Sequence, residues 1–309
     1  MSKALRAAYG EALIELGQNN ERVVVLDADL AHATMTSMFA EKYPDRFYNF
    51  GIAEANMVCA AAGMAHSGLV PFVSTFSIFG AGRAYEMVRN SVAYTHANVK
   101  LACTHGGLSV GEDGGSHEAI EDIALMREIP GMSLLVPGDC IEVRKAVMAA
   151  AEIDGPVYIR VSRQPSPDVT SPDAKFEIGK ASVLRSGKDV CIMAIGLMLP
   201  HALAAAELLE KNGVSAEVVN MCSIKPIDRE YVMAANRSFK AIVTAEEHSV
   251  LGGLGGAVAE LIAGTCGAKF GRVGVQDRFG RSGTPEALFE AYGLTAENIA
   301  EKCRELLGI

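Results

Sequence analysis

Apolar residues along this chain fall into short unbroken runs, separated by stretches in which they recur every three or four positions. Val23–Leu26, Pro71–Ser74, Val99–Cys103, Ser133–Val136 and Val157–Val161 are runs of the first kind. The intervening patterns are helical, among them the small-residue stretch Ala53–Ala65 and the stretch Ile141–Ala151. Runs without polar alternation predict strands buried on both faces, and the helices between them predict a parallel sheet covered on both sides. Near Gln164 the pattern breaks. PSPDVTSPDAK holds three prolines among polar turn residues and reads as a linker. A second alternating block follows: Val190–Ala194, Pro200–Asn212, Ala216–Asn220, Ala241–Ala245, Gly255–Ala263 and Val273–Val275. The expectation is an α/β chain of two doubly wound domains with mostly parallel sheets, residues 1–166 and 189–309, joined by a linker over 167–188.

Composition narrows the classes. Half of the 309 residues are apolar, 21% are charged and the net charge is −9. That is globular, with no basic run or face for nucleic acid. No apolar run approaches the ~18 residues of a membrane span, and the N-terminal pattern MSKALRAAYGEAL carries charges inside it, unlike a signal peptide. The seven cysteines are scattered without CxxC or zinc spacing. They read as mostly buried, reduced thiols in a cytoplasmic protein.

In parallel sheets of this kind, ligands bind beyond the carboxyl ends of the strands. Asp29, His105 and Arg163 each lie just past such an end. Four segments are candidate chemistry. GIAEANM (51–57) places Glu54 at the head of an apolar helix, where the macrodipole alone would favour it. VSTFSIFGAGRAYEMVRN (73–90) spaces Phe76 and Phe79 three apart after a strand, a spacing common in cores as well as in ring platforms. THGGLSVGEDGGSHEAIED (104–122) crowds His105, Asp113 and His117 among glycines that let backbone approach a ligand. Their spacing matches no common metal pattern. The fourth segment ends in Ser162-Arg163-Gln164, where an arginine suits anion recognition or an ion pair that supports the strand end.

The order of these segments resembles the pyrimidine domain of transketolases: VVVLDADL, GIAEANM, STFSIF, THGGLSVGEDGGSHEAIED, VPGD and the SRQ strand end. TAEEHSVLGGLGGAVAE and DRFGRSGTPEALFEAYGL resemble the family's C-terminal domain, so the resemblance covers essentially the whole chain. It implies thiamine diphosphate as cofactor, with Glu54 bonding N1′ of its aminopyrimidine. Phe76 and Phe79 would hold that ring, and Asp29 and Leu30 would line the thiazolium region. Arg6, His105 and Arg163 match positions that bind a sugar's phosphate. Asp113 and His117 match positions that contact substrate hydroxyls and assist proton transfer.

The family's GDG motif, which holds the diphosphate and Mg²⁺, does not occur here; the nearest string, Gly138-Asp139-Cys140, continues differently. The resemblance therefore implies a split enzyme. A partner subunit carrying GDG would supply most of the Mg²⁺ binding, self-association would give an α2β2 heterotetramer, and sugars would be the substrates. Two positions depart from the family: Ala33 stands where several relatives carry a hydroxyl residue, beside His32, and Ala55 replaces a polar residue. The rival readings are the β-type subunit of a 2-oxo-acid dehydrogenase E1 component and a non-catalytic regulatory subunit. The segments GIAE and GEDGGSHE favour transketolase over the first, and the joint presence of Glu54, Phe76, Asp113 and His117 argues against the second.

Overall fold

The computed structural model describes residues 3–309. Two sheets organise it. The first has seven strands: β1 (Val23–Asp27), β2 (Phe47–Asn49), β3 (Val70–Ser74), β4 (Lys100–Thr104), β5 (Ser133–Leu135), β6 (Val157–Val161) and β10 (Ser223–Lys225). Their spatial order is β10-β5-β6-β4-β3-β1-β2, parallel except for the β10–β5 pair. β1, β3, β4 and β6 are buried along their whole length, as their unbroken apolar runs predict. The second sheet runs β12-β11-β8-β9-β7, with β7 (Ser182–Arg185), β8 (Val190–Ala194), β9 (Ala216–Asn220), β11 (Ala241–Ser249) and β12 (Lys269–Val275). Only the β7–β9 pair in it is antiparallel.

The mostly parallel, doubly wound character agrees with the sequence reading. Two details differ. The stretch expected as linker, 167–188, contains β7, a four-residue edge strand with no fully buried side chain, which carries little apolar signal. β10 comes from the second block yet pairs with β5, so the first sheet borrows its edge from residues far along the chain. Cysteine burial agrees with expectation for the majority. Cys103, Cys191, Cys222 and Cys303 are buried, but Cys59 and Cys266 are exposed and Cys140 is half-buried. Cys59 lies on the outer side of a helix rich in small apolar residues, where periodicity does not mark an outward face.

In the first sheet the chain leaves β2, passes over β1 and enters beside it as β3, so the order reverses at β1. The crevice outside the carboxyl ends is therefore bordered by the loops after β1, β3 and β4, and by the helix Glu54–His66 that follows β2.

Gly138-Asp139-Cys140 has a structural use. Asp139 is fully buried and caps the helix Cys140–Glu152: its Oδ1 accepts from Glu142 N at 2.8 Å and from Thr170 Oγ1 at 2.9 Å. Its Oδ2 accepts from Val169 N at 2.8 Å and Thr170 N at 2.6 Å. One carboxylate thus ties the start of the connecting segment to a helix of the first sheet. Losing a cap and several charge-assisted bonds at a buried site costs on the order of 3 kcal/mol. Asp139→Ala is expected to lower unfolding free energy by about that amount in denaturant titrations, and to speed proteolysis within residues 165–181. Unaltered cleavage there would show that the tether does not hold the segment.

Candidate active site

Glu54 opens the helix that follows β2 and is 1% exposed. Arg83 Nη1 donates to both of its carboxylate oxygens at 3.1 Å. The Arg83 guanidinium also lies 4.4 Å over the ring of Phe79. Phe79 stacks on Phe76 at 5.8 Å between centroids, and Phe76 stacks on His105 at 3.9 Å. His117 meets Phe79 and Phe76 edge-on, at 5.5 and 6.3 Å. Glu54, Phe76, Phe79, His105 and His117 are therefore one connected cluster drawn from the ends of three strands and a loop. Phe76 and Phe79 close one turn, Phe79 N donating to Phe76 O at 3.0 Å, and a π-helical turn, Phe79–Arg83, follows, with another at Val88–Ala93. Such turns re-aim side chains and recur at functional sites. Arg83 was not singled out in the sequence because one arginine on a helix-like stretch carries no signal of its own.

His105 follows β4 in a left-handed conformation, φ 59°, and Asp29 follows β1 in another, φ 64°. Side chains with a Cβ adopt this region at a cost, and it clusters at sites where surroundings enforce it. His105 Nδ1 is 2.8 Å from Thr104 Oγ1. Burial, followed by the charges of Arg6, Arg163 and His117, pushes its pKa down to about 3, so the ring is neutral at physiological pH. Asp29 exchanges hydrogen bonds with Asn49, and Leu30 N donates to Asp27 Oδ1 at 2.6 Å. Asp27 is buried and also accepts from Thr34 and Thr36, which holds the loop carrying Asp29 and Leu30 in shape.

The three expected anion-binding residues are only partly free. Arg6 Nη1 donates to Ala33 O at 2.8 Å, and burial and the nearby Arg163 lower its pKa. Arg163 Nη1 donates to Val110 O at 2.6 Å and lies 3.5 Å from Asp113 Oδ2 and 3.8 Å from Glu112 Oε2. The arginine therefore also serves as a strut for the loop that bears Asp113, an alternative the sequence left open.

That loop is fixed from behind by a buried network. Arg160 Nε contacts both oxygens of Asp122 at 3.1 and 2.9 Å, and Tyr158 donates to Asp122 Oδ2 at 2.8 Å. Arg160 Nη2 donates to the carbonyls of Ala119 and Glu247, each at 3.0 Å. The Glu247 carboxylate accepts from Ser109 N. Glu246 caps the helix Leu254–Ile262 through Leu254 N and Gly255 N. Glu246, Glu247 and His248, at the end of β11, thus form a tight connection to that helix and a contact between the two sheets of one chain. Among the described residues no group of three His, Cys, Asp or Glu could hold a metal ion, and no helix is long and apolar enough to cross a membrane.

Comparison with known proteins gives this geometry a context. The family model described as transketolase, pyrimidine binding domain, matches residues 1–168, and that of the transketolase C-terminal domain matches 179–299. A Methanocaldococcus jannaschii protein named as a transketolase C-terminal section is 48% identical over 98% of this chain and 96% of its own length. Human transketolase is 38% identical over 98% of this chain, which spans 49% of that protein. A solved split-gene transketolase, described as an inactive β4 tetramer, superposes with a TM-score of 0.91 at 50% identity, covering 100% of this chain and 99% of the other.

One member of the network is under-satisfied. Glu118 is 2% exposed, and neither of its carboxyl oxygens has a hydrogen-bond partner among the described residues. Burial and the neighbouring Glu247 raise its pKa from 4.5 to about 7, the nearby backbone N–H of Arg281 offsetting part of this. A carboxyl raised in the folded state favours folding while it is neutral. That contribution is complete below about pH 4.5 and is lost as pH rises through about 7. Glu118→Gln is therefore expected to raise the melting temperature at pH 8 by about 2–6 °C, with the gap closing by pH 5. Parallel melting curves for the two proteins across that range would exclude Glu118 as the titrating group.

Proposed function

The chain belongs to the transketolase family, and on that premise we propose that it is the pyrimidine-side subunit of a split, thiamine diphosphate-dependent transketolase. The observation that carries this is the buried Glu54 carboxylate joined through Arg83 to the Phe79–Phe76–His105 stack, at the point where the strand order reverses. A buried carboxylate beside aromatic faces fits one edge and one face of an aminopyrimidine. The chain's own acids and histidines do not fit a diphosphate-bound Mg²⁺, since none of them cluster as ligands among the described residues. Diphosphate and metal binding then fall to a partner subunit carrying the GDG motif, in a cytoplasmic α2β2 assembly. Residues 1–166 form the pyrimidine-binding unit, and the C-terminal unit begins at β7 rather than at 189.

Thiamine diphosphate, when bound, supplies the carbon nucleophile that cleaves a ketose and carries its two-carbon unit to an aldose. Glu54 would hold a proton at a nitrogen of the bound aminopyrimidine, and Phe76 and Phe79 would fix that ring's orientation. Asp29 and Leu30 would line the thiazolium side. His117 and Asp113 contact substrate hydroxyls, His117 moving a proton there. Arg6, Arg163 and the neutral His105 bind the substrate's far end, whether it carries phosphate or sulfonate.

Mixing this chain with a GDG-bearing partner in the presence of thiamine diphosphate and Mg²⁺ is expected to give ketol transfer that neither chain shows alone. Glu54→Gln is expected to reduce its kcat by at least ~100-fold, the scale of a lost acid–base group. Robust turnover by the single chain would defeat the split-subunit reading, and an unchanged kcat would make Glu54 a helix-start residue only.

Arg163 separates an anion site from a strut. In the reconstituted enzyme Arg163→Ala is expected to lower kcat/KM by roughly 10- to 100-fold for a phosphorylated ketose, and to leave a neutral ketose such as erythrulose nearly unaffected. Equal losses with both would mean that its bonds to Val110 and Asp113 are its whole role.

A further inference from the structure

The pairing of Arg83 with Glu54 has a consequence for how the subunit stays inert and becomes competent. Glu54 is 1% exposed, whereas the Arg83 side chain is 50% exposed. The guanidinium thus covers a buried carboxylate from the solvent side. It engages both oxygens, and among the described residues they take no other hydrogen bond. The same guanidinium lies over the face of Phe79. It therefore occupies both groups, carboxylate and ring face, that the reading above gives to the aminopyrimidine. A carboxylate left buried without a partner is strongly unfavourable, so a subunit made apart from its partner needs something to neutralise Glu54. An exposed arginine on a wide π-turn can do that and can leave by side-chain rotation into solvent, without moving the strand or helix.

We propose that Arg83 is a displaceable place-holder: it pairs with Glu54 in the partner-free chain and yields that carboxylate, and the face of Phe79, to the cofactor. This rests on the assignment of Glu54 and Phe79 to the cofactor site. It makes Arg83 a positioning residue whose loss has opposite effects in the two states. The free chain should become less stable, whereas cofactor binding should become tighter because no competitor has to be displaced.

The test uses Arg83→Met, which keeps the length and apolar stem, Glu54→Gln, and the double variant. For the free chain, Arg83→Met should lower the melting temperature by about 2–4 °C, and this loss should largely vanish in the Glu54→Gln background. For the complex with the GDG-bearing partner, calorimetric titration with thiamine diphosphate and Mg²⁺ should show about 3- to 10-fold tighter binding by Arg83→Met than by wild type. A purely structural arginine would weaken both. Cofactor binding that weakens with Arg83→Met would overturn the proposal, as would additive melting losses for the two substitutions. If the wild-type complex fails to bind the cofactor, the cofactor-site reading itself falls and takes the displacement step with it, whereas additive losses alongside normal wild-type binding defeat the place-holder alone.

Discussion

The buried pair of Arg160 and Asp122 is the constraint on which the site's shape depends. Both side chains are almost wholly removed from water, and desolvating two charges is favourable only if geometry is good and the remaining donors are used. Here they are. Arg160 sits in β6, its Nε on Asp122, and its Nη2 reaches Ala119 on the glycine-rich loop and Glu247 in β11. One guanidinium therefore joins a strand, a loop and the second sheet. The loop accommodates it by having no side chain where it passes: a Cβ on Gly106 would come within 2.6 Å of Arg160 Nε, and one on Gly107 within 2.4 Å of the Glu247 carboxyl. The glycines that read as a ligand-approach motif also let the protein approach itself.

Once the back of the loop is fixed, its front can be strained. His105 is held in a left-handed conformation between β4 and those glycines, with its ring clamped against Phe76 and its Nδ1 at Thr104. Asp29 is held likewise by Asn49, next to the Asp27 knot of threonines. Both strained residues stand at strand ends that border the crevice. Strain of this kind persists only where neighbours over-determine it. The neighbours here are a rigid parallel sheet on one side and a hydrogen-bonded loop on the other.

Much of this was legible in the sequence. The unbroken apolar runs marked the central strands because a strand buried on both faces must be apolar at every position. Phe76, Phe79, His105 and His117 were singled out as isolated candidates, and the fold brings them into contact. What the sequence did not disclose falls into two physical kinds. Short edges such as β2, β7 and β10 span too few residues to leave a periodic signature, and β10 joins a sheet formed by residues far from it. Partners of buried charges are equally silent. Nothing in the string IRVSR says that Arg160 is the buried network residue and Arg163 the half-buried strut. Arg83 is hidden for the same reason, since its partner lies far away in sequence and its direction is set by a π-turn.

The electrostatics of the crevice follow from this division between struts and free groups. Burial, and then the charge of Arg163, lower the pKa of Arg6, and burial with the charges of both arginines lowers that of His105. The imidazole yields, because its intrinsic pKa is lowest and it is the most buried of the three, and it becomes a neutral hydrogen-bonding group stacked on Phe76. The two guanidinium groups lean on oxygens: Ala33 O for Arg6, and Val110 O with the flanking Glu112 and Asp113 carboxylates for Arg163. An anion entering the crevice would meet two arginines already partly satisfied, and its gain would be the difference between its own oxygens and those it displaces or joins. Val110 and Asp113 belong to the same loop that Arg160 anchors from behind. Any shift of Arg163 would therefore pull on a loop whose other face is fixed, so that Arg163 and Asp113 are mechanically coupled through one short segment.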